Sequence, residues 1–521
     1  MAATTFNLAD LFEAAVDEWP DRDYIVDERQ RRTFSEMDRR ANQLAHHLHA
    51  QGVKPGDHVG IYALNRVEWV EALWAIFKIR AVWININYRY VEDELAYLFD
   101  NADLNYLIVE PEFADRARAV APRLPQLVIG PDYEAALASQ SDVRDFGPRS
   151  DDDLYILFTG GTTGMPKGVV WRHADVVMAL GGGIDMFTGD KMQSPSGFVE
   201  KGRNGFPLVS YPLPPLMHGA SQWSVMGQSF VGNKVVLRAK FDPADVWRTI
   251  GQEKANLIMI TGDAMARPLL EDYALSRDSY DVSSLFAVSS SAVLFSQACK
   301  DQFIEYFPNL VVTDAIGSSE GGANGITQVT KGGSVEAGLR VKGARDSTVL
   351  DDDLRPTPPG VMGRLARTGN IPLRYHKDPE KSAATFVTGP DGVRYVIPGD
   401  FAVMNDDGTI TLIGRGSVCI NSGGEKIFPE EVENALKAHP EVFDAVVVGV
   451  ADERWGERVA AVVQARPGTT PTLESIQEHC RKHVAGYKVP RQLTLVDQMV
   501  RSPAGKSDYR WAKQVATADA S

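Results

Sequence analysis

The sequence predicts an α/β protein, with a large multi-layer N-terminal domain of parallel-rich sheets and a β-rich subdomain, then a small mobile α+β C-terminal domain. Three observations predict it. Strand-sized apolar runs alternate with amphipathic helical stretches as far as Leu310–Thr313. From Asp351 the pattern turns to short strands punctuated by Asp391-Gly392 and Asp407-Gly408. After Gly414-Arg415-Gly416-Ser417 a compact mixture of helix and strand follows. The expected boundaries are a large domain over 1–414, a hinge over 415–417 and a small domain over 418–521.

In chain order, Leu8, Leu11, Phe12, Ala15, Val16 and Trp19 recur at helical spacing, and the segment carries acids rather than a basic leader. It is predicted to be a core helix, not a signal peptide. Thr33-x-x-Glu36 is a capping-box pattern opening a helix with Met37, Ala41, Leu44 and Leu48 on one face. A strand over His58–Leu64, a helix over Val67–Ile79 and a strand over Ala81–Ile86 follow, and the pattern resumes at Lys234–Leu237 and Leu257–Ile260. Thr188–Gly205 is polar, Gly-rich and without periodicity, and is predicted to be a long loop, with a lid role left open. In the last part, Pro429 suits a first helical position, Ala445–Val450 and Val459–Ala465 read as strands, and Leu473–Val484 as a helix.

Composition narrows the class. At 521 residues the chain exceeds one ordinary core, and 44% hydrophobic with 24% charged residues is globular. Cys299, Cys419 and Cys480 form no disulfide framework, so a reducing cytoplasm is the expected location. No run approaches the roughly 18 apolar residues of a membrane span. A net charge of -15 argues against nucleic acid as a partner, so any anion must be gripped locally. Oligomeric state is not legible, and a homodimer stays open.

That local grip is expected after the apolar run Leu154–Phe158, in Thr159-Gly160-Gly161-Thr162-Thr163-Gly164-Met165-Pro166-Lys167-Gly168. Glycines let backbone N–H groups converge on an anion, hydroxyls add donors and Lys167 adds charge. It is not a Walker A loop, because Pro166 precedes the lysine and Gly168 follows it. Gly317-Ser318-Ser319-Glu320-Gly321 also matches a nucleophile elbow, which would make Ser319 a hydrolase nucleophile. An elbow needs a helix at once, and Gly321-Gly322-Ala323-Asn324-Gly325 is poor helix sequence. His479 and His483 sit at i, i+4 in a charged helix without further ligands and read as surface residues.

From the phosphate loop onward the chain resembles the adenylate-forming superfamily of acyl-CoA synthetases, luciferases and adenylation domains, over about Leu8 to Lys513. The resemblance implies an ATP-dependent, AMP-forming acid–thiol ligase using ATP, Mg²⁺ and coenzyme A on a small carboxylic acid. Through it, Asp314 to Glu320 is implied to be the adenine and magnesium segment: Asp314 and Gly317 border adenine, Ile316, Ser318 and Ser319 are cofactor-binding, and Glu320 holds Mg²⁺. Ile316 stands where relatives carry an aromatic that stacks on adenine. Asp400 is implied to bind ribose, and Arg415 to lie near ribose and phosphate, with Ser417 replacing the usual charged hinge residue. Gly423 and Gly424 are implied to close on the pantetheine arm, and Lys506, in Ser502-Pro503-Ala504-Gly505-Lys506, to be the catalytic lysine.

On the acyl side, His218 with Gln222 and Trp223 is implied to shape the carboxylate pocket, and Ser290 and Ser291 to narrow its wall where relatives have glycines. Trp171-Arg172-His173, Thr261–Leu269 and Gly505–Lys513 resemble a subgroup of actinobacterial synthetases acting on steroid side-chain carboxylates. Medium- or long-chain fatty acids, and loading of a carrier protein, remain alternatives.

Overall fold

The structure, a computed structural model, describes residues 3–519 apart from 162–163, 186–187, 292–294, 330–338, 423–424, 453–454 and 502–505. Among the described residues three sheets organise the chain, of fifteen, seven and five strands.

Local rules explain the first elements. The helix Leu8–Glu18 is capped by the Asn7 side chain, which accepts from Ala9 N, and its apolar face is buried. Phe12 stacks on Trp74 at 4.3 Å between ring centroids, in the largest apolar cluster. Each such side chain contributes about 1.5–3 kcal/mol by leaving water. The capping box is present: Thr33 Oγ1 accepts from Glu36 N at 3.2 Å and Glu36 Oε2 accepts from Thr33 N at 2.9 Å.

In the seven-stranded sheet, Gln126–Val128, Leu104–Val109, His58–Tyr62, Val82–Asn85 and Leu154–Gly161 run parallel, and Gly164–Arg172 and Arg374–Tyr375 complete one side antiparallel. The fifteen-stranded sheet joins a parallel part, from Val209–Pro212 through Leu257–Ile260 and Ala287–Ser291 to Val311–Ser318, to the antiparallel strands of the β-rich part. The predicted β-rich subdomain is therefore not separately edged. Gly322–Val329 and Leu339–Gly343 hydrogen-bond it into the same sheet.

The five-stranded sheet, with helices Pro429–Lys437, Leu473–Cys480 and Tyr509–Ala518, forms the C-terminal α+β unit. Two expectations change. Thr188–Gly205 is not loop throughout, because Gly197–Asn204 is an eight-residue helix that buries Phe198 and Val199. Two turns carry too few apolar positions to show a period. The helix predicted over Leu473–Val484 stops at Cys480. No helix among the described residues is long and apolar enough to cross a membrane.

Candidate active site

The predicted phosphate loop is the tip of an antiparallel hairpin. Leu154–Gly161 runs out, Gly164–Arg172 returns, and Thr159 pairs with Lys167 in register. Thr162 and Thr163 lie outside the described residues, as do Gly423 and Gly424 and the residues 502–505 before Lys506. Lys167 Nζ donates to Asp378 Oδ2 at 2.7 Å and lies over the Tyr375 ring. Asp378 uses its other oxygen to cap the helix Pro379–Thr385, accepting from Lys381 N at 2.9 Å. The Lys167 ammonium, with the Lys381 amide, holds the Asp378 carboxyl below the usual carboxylate range.

Opposite the hairpin stands the turn between Val311–Ser318 and Gly322–Val329, which carries Ser319 and Glu320. Its return as a strand, not a helix, removes the geometry a nucleophile elbow needs. Ser318 Oγ accepts from Gly321 N at 2.8 Å, closing the turn. Gly322 sits at φ +68°, and a Cβ there would lie 2.7 Å from Arg367 Nη1. That buried guanidinium donates to the carbonyls of Gly321 and Ala323 at 3.1 and 2.8 Å. Trp171 Nε1 donates to Ser319 O at 3.1 Å, and Tyr375 OH to Glu320 Oε1 at 3.1 Å. Burial and the Glu320 carboxylate push the Tyr375 hydroxyl well above its ordinary range, so it donates as a neutral phenol.

Strand alternation places Asp314 and Ile316 on the inner face. Asp314 pairs with Lys300 at 2.7 Å, and burial, only partly offset by Lys300, raises its carboxyl to about 6. Ile316 packs with Val341, Val349, Leu365 and Ile410. The residue standing where an adenine-stacking aromatic was expected is thus part of the β-rich core.

Asp400 and Arg415 are register partners on neighbouring antiparallel strands, and Arg415 Nε donates to Asp400 Oδ1 at 3.0 Å. Here the C-terminal unit comes in. Arg415 N donates to Glu430 Oε1 at 3.4 Å. Gly414, at φ +149°, lies so close to this helix start that a Cβ would sit 2.5 Å from Glu430 Oε2 and 2.9 Å from Phe428 Cβ. Lys506 reaches the same cluster from the far end of the unit. Burial, then the Arg415 cation, lower its ammonium, while Glu320 and Asp400 act in the opposite sense.

The acyl-side residues divide. His218 lines a small cleft of about 10 Å³ with Asn85, Asn87, Tyr90, Phe158 and Met217. Gln222 is fully buried: Tyr155 OH donates to its Oε1 at 2.5 Å and its Nε2 donates to Leu216 O at 2.7 Å. Trp223 packs edge-to-face on Tyr155 at 5.1 Å inside the core. Ser290 is likewise buried, its Oγ accepting from Gly262 N at 3.0 Å, while Ser291 is partly exposed. Gln222 and Ser290 therefore satisfy neighbouring polar groups, and Trp223 is core.

Several members of the site lay outside the sequence reading. Asn85 ties the hairpin to the His218 segment, donating to Phe158 O at 2.7 Å and Met217 O at 2.8 Å while accepting from Phe158 N at 2.7 Å. Tyr375, Asp378, Lys300 and Arg367 also belong here. Asp378-Pro379 signals a helix start, but nothing local names Lys167 as its partner.

This architecture is that of the adenylate-forming enzymes. It superposes on an anthranilate CoA ligase solved with anthranoyl-AMP at TM-score 0.86, 22% identical and covering 100% of this chain and 99% of that one. ATP-bound MatB from Rhodopseudomonas palustris gives 0.83 at 23% identity, covering 97% and 98%. The chain belongs to the family described as AMP-binding enzyme, whose profile matches residues 12–373, with the AMP-binding enzyme C-terminal domain at 431–506. It is an ATP-dependent ligase. Among curated relatives, the 3-oxocholest-4-en-26-oate–CoA ligase of Rhodococcus rhodochrous is 51% identical, covering 97% of this chain and 95% of its own. A medium/long-chain-fatty-acid–CoA/3-oxocholest-4-en-26-oate–CoA ligase of Mycolicibacterium smegmatis is 49% identical, covering 98% and 96%.

Proposed function

We propose that the chain activates a steroid side-chain carboxylate in two steps. The carboxylate attacks the α-phosphorus of ATP, forming acyl-adenylate and releasing pyrophosphate; the CoA thiol then attacks the acyl carbon, loses its proton and releases AMP. The observation that supports this reading is that the buried Lys506 ammonium lies within the electrostatic reach of Glu320, Asp400 and Arg415, residues drawn from both units of the chain.

In the first step Lys506 bridges the attacking carboxylate and the α-phosphate, where negative charge accumulates. Asp400 accepts from ribose hydroxyls, which a carboxylate does with two oxygens. Lys167 exchanges Asp378 for the leaving pyrophosphate. Glu320 suits Mg²⁺, because Tyr375 orients its carboxylate through a neutral donor and leaves the charge in place. When bound, that ion would screen the phosphate charge. For the second step the small domain, 418–521, turns about 415–417, withdrawing Lys506 and presenting Gly423-Gly424 to the pantetheine arm.

The steroid assignment rests on the two relatives at about half identity. The second of them also supports medium- and long-chain fatty acids as a broader substrate set. The test is AMP formation over steroid side-chain acids and fatty acids of graded length, with and without CoA. Carboxylate-dependent exchange of pyrophosphate into ATP, CoA-dependent AMP release and preference for the steroid acids are expected. Preference for short aliphatic or aromatic acids overturns the substrate class, and AMP release that needs a carrier protein overturns the acceptor.

A further inference from the structure

Beside the phosphate hairpin lies a cluster that the ligase chemistry does not use. His58 begins the strand His58–Tyr62, Asp103 follows the helix Glu92–Asn101, and His376 follows the strand Arg374–Tyr375. One ligand atom from each lies within 4.8 Å of the others. His376 Nε2 is 3.4 Å from Asp103 Oδ2, and the two imidazoles meet edge-to-face at 5.3 Å between centroids.

Each member is oriented from behind. His58 Nδ1 donates to Ala102 O at 2.5 Å, which puts the ring proton on Nδ1 and makes Nε2 its ligand atom. Asp103 Oδ1 accepts from Lys377 Nζ at 2.6 Å, leaving Oδ2 for a further partner. The His376 backbone is pinned by its N–H, which donates to Gly168 O at 2.7 Å. Metal-binding imidazoles and carboxylates are commonly held by outer hydrogen bonds of this kind.

We propose that His58, Asp103 and His376 bind a divalent transition-metal ion of the zinc class, separate from the Mg²⁺ at Glu320 and independent of the acyl substrate. Two imidazoles and one carboxylate suit zinc, nickel or copper over magnesium, which takes oxygen ligands. Ligands about 2.0–2.2 Å from zinc stand closer together than 4.8 Å, so binding draws the three groups inward, which the exposed Asp103 side chain permits. The ion then ties the segment carrying Asp378, and through it Lys167, to the end of the parallel sheet.

The full-length chain, stripped of metal, is titrated with Zn²⁺ alone by calorimetry and with Co²⁺ by visible absorption. One equivalent per chain is expected. Affinity falls in Asp103→Asn and in His58→Gln/His376→Gln by more than the roughly 10- to 100-fold typical of a residue that only orients a ligand. The control His479→Gln/His483→Gln, whose rings lie 4.7 Å apart elsewhere, retains it. Zn²⁺ also raises the thermal midpoint of the wild type and the control but not of the site variants, by linkage to the folded state. Absence of a saturable equivalent in the wild type, binding that follows His479 and His483, or undiminished affinity in both site variants overturns the proposal.

Discussion

Asp400 and Arg415 face each other across neighbouring antiparallel strands, joined by a 3.0 Å hydrogen bond at the point where the C-terminal unit meets the rest of the chain. The pair fixes the Asp400 carboxylate, which we propose accepts from the ribose hydroxyls. Asp400→Ala is expected to raise the KM for ATP about 10- to 100-fold, the loss of a charged hydrogen-bond acceptor, with the KM for the acid little changed. Pyrophosphate exchange at varied ATP and varied acid separates the two.

Tyr375→Phe removes the donor to Glu320 and keeps the ring beneath Lys167. The expected effect is a rise of roughly 2- to 10-fold in the Mg²⁺–ATP concentration needed for half-maximal adenylation, with unchanged thermal stability. A response confined to the acid would show that Glu320 serves the acyl side instead.

Gly414→Ala places a methyl group against Glu430 and Phe428 at a φ that side chains rarely adopt. A cost of about 1–3 kcal/mol in stability is expected from backbone strain alone. Because the contact joins the two units, adenylation should fall more than total folded protein does. Unfolding midpoints and pyrophosphate exchange measured on the same preparation check this.

Glu430 brings a pH dependence. Burial, then the neighbouring Glu433, raise its carboxyl from 4.5 to about 7. The folded state therefore favours the protonated form. Its contribution to stability is complete below about 4.5 and is lost as pH rises through about 7. Glu430→Gln keeps the acceptor for Arg415 N without the charge. It should match the wild type near pH 4.5 and exceed its stability at pH 8 by about 1–3 kcal/mol. Thermal midpoints at both pH values test this, and a variant less stable than the wild type at pH 8 contradicts it.

The candidate segments stand out in the sequence, Thr159–Gly168 by its glycines, hydroxyls and lysine, and Asp314–Glu320 and Asp400 through the family resemblance. What was not legible is long-range. Lys167 and Asp378 are 211 residues apart, Asn85 and Met217 132 apart, and Glu320 and Tyr375 55 apart, so only the fold pairs them. Ile316 shows a second limit. Its motif position pointed to adenine, but alternation with Val312 and Asp314 turns it into an apolar cluster. Gln222 and Ser290 show the same: a polar side chain next to a pocket segment is as readily used to satisfy backbone groups behind it.

In the proposed mechanism one lysine serves only the first of two half-reactions. Lys506→Ala is the direct test, with adenylation followed by pyrophosphate exchange and thioester formation followed from preformed acyl-adenylate plus CoA. Loss of about 10²- to 10³-fold in the first, with the second largely retained, is expected for a preorganised charge that acts on the α-phosphate and then withdraws. Equal loss in both half-reactions would contradict the account, because Lys506 would then be holding the site together rather than alternating with Gly423 and Gly424.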